Sequence, residues 1–196
     1  MTIAFFAGGC GGAAHLNYPT VALTVPDDAP MRGPRDAPVV VQVFTDFQCP
    51  YCAYHVPTLD QLAQEFGPQI RIVYRSYPLP GHPEAMIAAE AALEVQRQAG
   101  DDAFWEFHDL LFSRQEALSR PDLERYAATI EGVSLDWFRR ALDGGMHRSR
   151  VEEDRARLQH SGAREIGTPA TIINGRYVVG ARPYEVYQGL VEAELP

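Results

Sequence analysis

The chain has 196 residues, 46% of them hydrophobic and 22% charged, which suits one globular domain or a domain carrying a large insertion. With 26 acidic residues against 17 bases the formal net charge is −9, and no basic stripe interrupts it, so no nucleic-acid partner is expected. Every base is arginine, which removes lysine chemistry; three cysteines are too few for a disulfide scaffold, and no run approaches the roughly 18 apolar residues of a membrane span.

At the N-terminus Ile3-Ala4-Phe5-Phe6 leads through Ala7-Gly8-Gly9 to Cys10. Apolar, then small, then cysteine resembles the tail of a bacterial lipoprotein signal, whose cysteine is lipidated and attaches the protein to a membrane. Two departures count against it. Only nine residues precede Cys10 and none is basic, whereas a secretory signal has a charged start and an apolar core of about 7–15 residues. Ala7 also stands where the lipoprotein pattern favours leucine. A start placed too late in the sequence would account for both. Lipidation at Cys10 is one expectation; a disordered leader with an incidental thiol is the other. A short edge strand is expected over 20–25, and an irregular polar lead-in over 27–38.

Residues 39–44 are apolar but for Gln42, the mark of a strand buried on both faces. Cys49-Pro50-Tyr51-Cys52 follows, opening a helix expected over 50–66 with a kink at Pro57. That position changes the first thiol. The first turn of a helix has N–H groups without intrahelical partners, and the macrodipole adds positive potential there. The Cys49 pKa should therefore fall below the free value of about 8.5, into the range of roughly 3.5–7.5. Pro50 suits the first helical position, since its fixed φ fits and its missing N–H costs nothing there. Cys52, one turn on, is expected to be buried and protonated. The pair is poised for thiol–disulfide exchange.

A lone C-x-x-C can also be half of a zinc site. His55 lies one turn past Cys52, and Cys10 or His82 would have to supply a fourth ligand. Nothing pairs these residues by local spacing, and zinc knuckles favour tight turns, so no metal is expected. His55 reads as a solvent-facing or satisfied helix residue.

Residues 70–75 alternate and are rich in β-branched side chains, predicting the next strand and a right-handed βαβ unit. Tyr77-Pro78-Leu79-Pro80 follows, a loop that can line an apolar groove near the thiols. Helices are expected over 83–99, ending at Gly100, and over 101–113 with Asp101 or Asp102 as cap. Three more are expected over 121–130, 134–142 with Ser134 as N-cap, and 146–165. Phe104, Trp105, Phe107 and Phe112 fit a buried helix face, and the arginines of 148–164 a solvated one. Asn174-Gly175 separates two short apolar runs, 171–173 and 177–179, as a type I′ hairpin does. A helix over 183–194 closes the chain.

Gly167-Thr168-Pro169-Ala170 stands just before that hairpin. With it, the chain resembles the thioredoxin superfamily, and within it the DsbA-like thiol:disulfide oxidoreductases. The matching parts are Phe44-Thr45-Asp46-Phe47-Gln48-Cys49-Pro50-Tyr51-Cys52, the Gly-Thr-Pro before the final hairpin, and the helical block between them, about residues 36–194 in all.

The resemblance implies an α/β thioredoxin-like fold with an inserted helical domain. Residues 1–35 would be the leader and edge strand, 36–81 the βαβ half with the cysteine site, 82–166 the helical insertion, and 167–196 the cis-proline loop, hairpin and terminal helix. It implies Cys49 as nucleophile and Cys52 as resolving thiol, with Pro50, Tyr51, Thr168 and a cis Pro169 supporting the site and the substrate. The disulfide is itself the redox group, with no other cofactor. Partners would be protein thiols or disulfides and a redox protein that resets the pair, in the periplasm or another extracytoplasmic space. Members of the family carry a buried acid where this chain has Val43. Asp46 is the nearest acid, either as a substitute in proton transfer or as a cap on the strand-to-helix turn. Pro50-Tyr51 is neither the Gly-Pro of thioredoxins nor the Pro-His of the best-known DsbA. Three functions remain: a dithiol oxidant of exported proteins, a reductant or isomerase on the same fold, and a non-catalytic zinc- or partner-binding domain.

Overall fold

The computed structural model describes residues 18–196, so the leader and Cys10 lie outside the described residues. Strand β1 is Met31–Arg32, β2 Val39–Thr45, β3 Ile70–Ser76, β4 Ala170–Ile173 and β5 Arg176–Val179. They form one sheet in the order β1-β3-β2-β4-β5. β2 and β3 are parallel, as the intervening helix α1 (Pro50–Phe66) requires, and the other pairs are antiparallel. β2 is thus the central strand. Val39, Val41 and Val43 are buried, and of its two buried polar residues, Gln42 and Thr45, Gln42 satisfies its amide by donating to the Leu23 carbonyl at 3.0 Å. The hairpin turns as its sequence demands, with Asn174 at φ 43° and Gly175 at φ 95°.

The edge strand expected over 20–25 does not form. Thr20 makes a single bridge to Arg176, and Val21 donates its N–H to the Gly175 carbonyl. Pro19 and Pro26 bracket the segment without N–H groups. The carbonyls of Leu23 and Thr24 are taken by the side chains of Gln42 and Arg75 rather than by a neighbouring strand. The true edge, β1, falls inside the stretch read as irregular, where Pro30 offers its carbonyl to Tyr74.

Between β3 and β4 run α2 (Ala85–Phe112), α3 (Arg120–Ala127), α4 (Leu135–Asp143) and α5 (Arg148–Gln159). α2 is broken at Gly100, whose φ of 84° ends one helix and starts the next without an aspartate cap. Ser134 occupies the N-cap position of α4, but its hydroxyl makes no capping bond. α5 stops at Gln159, six residues short of the expected end, and α6 (Tyr184–Glu194) closes the chain. Phe104, Trp105, Phe107 and Phe112 belong to the main core, with the rings of Phe47 and Phe112 4.9 Å apart.

One buried network was hidden among the charges. Arg75 is 0% exposed. Its Nε donates to Asp154 at 2.8 Å, Nη1 donates to Gln42 at 2.6 Å, and the guanidinium lies 4.8 Å from the Phe44 ring. Asp154 also accepts the Ser76 N–H at 3.0 Å. Asp154 therefore fastens α5 to the end of β3, although most of α5 is solvated as its charges suggested.

Candidate active site

β2 delivers the chain to the C-terminal edge of the sheet, and five residues later α1 begins. Cys49 is the N-cap of α1 at φ −74° and ψ 119°, with Pro50 as its first helical residue. No side chain caps this helix, so its first N–H groups face the sulfur instead. The Thr168–Pro169 peptide bond is cis, and it sets the Thr168 carbonyl oxygen 3.6 Å from Cys49 Sγ. The two motifs, 119 residues apart in sequence, meet at one sulfur. Both cysteines are free thiols and buried.

Their environments separate the two thiols. Cys49 is brought down from 9.0 to about 6. Donation from the Cys52 thiol is the largest influence, and burial opposes it. Thr168 and the N–H groups of Cys52 and Tyr51 add to the lowering. The Thr168 carbonyl accepts from the protonated sulfur, and the Thr168 hydroxyl is buried without a hydrogen-bond partner. Cys52 moves the other way. Burial raises it first, then its bond to Cys49 and the charge of that neighbour, with Thr45 pulling weakly back. At neutral pH the pair is one thiolate and one thiol.

Asp46 is buried and has both oxygens committed. Oδ1 accepts the Gln48 N–H at 2.7 Å; Oδ2 accepts the Leu79 N–H at 2.8 Å and lies 2.7 Å from His82 Nδ1. Its carbonyl accepts the Cys49 N–H at 3.0 Å. Asp46 thus organises the strand-to-helix turn and ties it to the segment after β3. Tyr77, read as a groove residue, is instead buried against Phe44 and Leu158, and Leu79 is held by its bond to Asp46. Gln115, just past α2, donates to the carbonyls of Phe47 at 2.7 Å and Cys49 at 2.9 Å. Val43 is plain core, paired with Tyr74 and Thr171. Tyr51 and Tyr54 are 67% and 75% exposed beside the site.

The histidines considered as metal ligands point elsewhere, His82 to Asp46 and His55 to Thr171. His55 is buried rather than solvent-facing. Gln115 and His82 carried no local signal in the sequence, because each acts on a loop more than 30 residues away.

Residues 26–193 match the thioredoxin family. The chain belongs to it. Among solved structures, this thioredoxin-family chain is similar to oxidised BdbD from Bacillus subtilis, with 23% identity, a TM-score of 0.79, and coverage of 90% of this chain and 96% of that one. It is also similar to a thioredoxin-like oxidoreductase from Silicibacter pomeroyi DSS-3, at 26% identity and a TM-score of 0.74, covering 86% of this chain and 92% of that one. Its fold is thioredoxin-like α/β. Among curated relatives, an Na(+)/H(+) antiporter NhaA 3 from Salinispora tropica is 40% identical over 162 residues, 82% of this chain and 24% of that protein. The chain therefore spans about a quarter of the curated relatives it matches. Among the described residues no helix is long and apolar enough to cross a membrane.

Proposed function

We propose that the chain is a DsbA-like dithiol oxidant, passing a disulfide from Cys49–Cys52 to exported proteins. One observation carries this reading: Cys49 sits at the N-cap of α1, 3.6 Å from the Thr168 carbonyl, where its pKa is lowered to about 6 while that of buried Cys52 is raised. A stabilised Cys49 thiolate favours the reduced pair, and a favourable reduced form makes the disulfide an oxidant.

In the forward reaction a client thiolate attacks Cys49 Sγ of the oxidised pair. The Cys49–Cys52 bond breaks, Cys52 leaves with the electron pair and takes up a proton, and a client–Cys49 disulfide remains. The client's second thiolate attacks its own bridged sulfur, and Cys49 departs as the stabilised thiolate. The client is oxidised by two electrons and the pair reduced by two. Thr168, with its carbonyl at Cys49, offers main-chain pairing to an extended client segment. Pro50 starts the helix that polarises the sulfur, and exposed Tyr51 gives the client an apolar contact. A second redox protein must then reoxidise the pair. No cofactor or metal enters this scheme. Disulfides persist in oxidising compartments, which argues for a periplasmic or other extracytoplasmic location. Lipidation at Cys10 would hold the domain at a membrane there. The antiport of its curated relatives is not carried over from a match to a quarter of their length.

Equilibration with glutathione tests the direction of electron flow. A potential near about −120 mV is expected of an oxidant. One below about −250 mV would make the chain a reductant instead. Isomerase activity would show as rescue of scrambled client disulfides by the reduced form.

A further inference from the structure

Whenever Cys52 becomes the nucleophile it must lose a proton, and its surroundings offer few acceptors. β2 contributes the apolar Val43 to the same core and the hydroxyl of Thr45, which hydrogen-bonds the Cys52 sulfur and is not a base. The Asp46 carboxylate is saturated by two N–H groups and His82. Tyr74 of β3 is fully buried, its phenol pushed above its ordinary value mainly by burial, and β4 contributes only the hydroxyl of Thr171.

His55 is the remaining group. It lies one turn past Cys52 on the buried side of α1 and is 1% exposed. Its Nε2 is 3.1 Å from Thr171 Oγ1, at the strand position paired with Val43. Its ring packs on Tyr187 of α6 with centroids 4.8 Å apart. Its Nδ1 is buried with no partner. Helical side chains lean over the preceding turn, which here is the turn holding Cys52. Buried polar atoms are almost always paired, so a lone one in a packed core calls for a reason.

We propose that His55 Nδ1 is the proton acceptor for Cys52, with Thr171 fixing the ring through Nε2. This inference rests on the thiol-exchange reading above. As the mixed disulfide at Cys49 resolves toward the oxidised pair, the Cys52 S–H bond breaks and its proton passes to Nδ1 through one water. The Cys52 sulfur then bonds Cys49 Sγ, and the other thiol leaves as thiolate with the electron pair. The reverse step returns the proton to Cys52. Of the elements packed on the ring, α6 presents the phenol of Tyr187, β4 the non-ionising Thr171, and α1 itself carries Cys52 one turn back. Burial holds the imidazole neutral, at about 4, leaving one ring nitrogen free as a base. Charge forming on the Cys52 sulfur raises the basicity of the ring at the moment of transfer.

The test separates the two steps of exchange with glutathione disulfide between pH 5 and 9, by acid quench and mass spectrometry. Formation of the Cys49–glutathione adduct should be the same in wild type and His55→Phe. Resolution of the adduct by Cys52 should slow roughly a hundredfold in His55→Phe and become first order in hydroxide across the range. Thr171→Val should slow it less, and Thr171→Ser should restore it. Equal resolution rates and profiles in wild type and His55→Phe would overturn the proposal, as would an equal loss in both steps, which marks a packing role. If His55→Phe does not fold, the resolution profile of Thr171→Val decides by the same criterion. If wild type forms no adduct at all, the exchange reading falls, and this inference with it.

Discussion

Cys52→Ser is expected to arrest the protein as a covalent adduct with its clients, because the serine hydroxyl cannot displace a disulfide bonded to Cys49. Cys49→Ser should form no adduct and lose turnover by roughly four orders of magnitude or more, as removal of a covalent nucleophile does. The asymmetry follows from the structure. Cys49 sits at the N-cap, 3.6 Å from the Thr168 carbonyl, with its pKa lowered; Cys52 is buried behind it with its pKa raised. Non-reducing gels and mass spectrometry of the two variants after incubation with a reduced, unfolded client give the answer. Adducts through Cys52 in Cys49→Ser, at the yield seen for Cys52→Ser, would reverse the assignment of the two thiols.

The largest effect on stability is expected at Asp154. Asp154→Ala leaves the Arg75 guanidinium wholly buried with no counter-charge, a loss of about 3–5 kcal/mol for a broken buried pair. In a chain of this size that lowers the thermal midpoint by roughly 6–20 °C. The double variant Arg75→Met with Asp154→Leu should recover most of the loss, since it removes both charges. Calorimetry of the three proteins checks this. A single variant within 2 °C of wild type, by roughly the same scaling, would mean that water or another group reaches Arg75 and that α5 is not fastened through it.

Local chemistry made much of this molecule readable. The valine run of β2, the proline-started α1 and the Asn-Gly hairpin each declare themselves within ten residues, and the structure has them in place. The meeting of Cys49 with Thr168 was legible only through the family pattern, since no local rule brings residues 119 apart together. What stayed hidden is what depends on long-range partners. Asp154 sits in a helix whose charges look solvated, yet it turns inward to Arg75. The segment over 20–25 has strand-forming residues but gives its carbonyls to side chains. His55 looks like any helix histidine until β4 and α6 close over it. Asp46, open between capping and proton transfer, reaches Leu79 and His82, contacts that no local pattern announced.

The account stands on the Cys49 thiolate. Its stabilisation of the reduced form is present in full above the ordinary thiol value of 9.0 and is lost as pH falls through about 6. Burial of Cys52 acts against the reduced form only above that ordinary value, where an exposed thiol would ionise. Ultraviolet absorbance of the thiolate in the reduced protein, titrated from pH 4 to 10, reads this directly. The account predicts one thiolate appearing with a midpoint near 6. A midpoint at about 8.5 or above, the value of an unperturbed thiol, would contradict it.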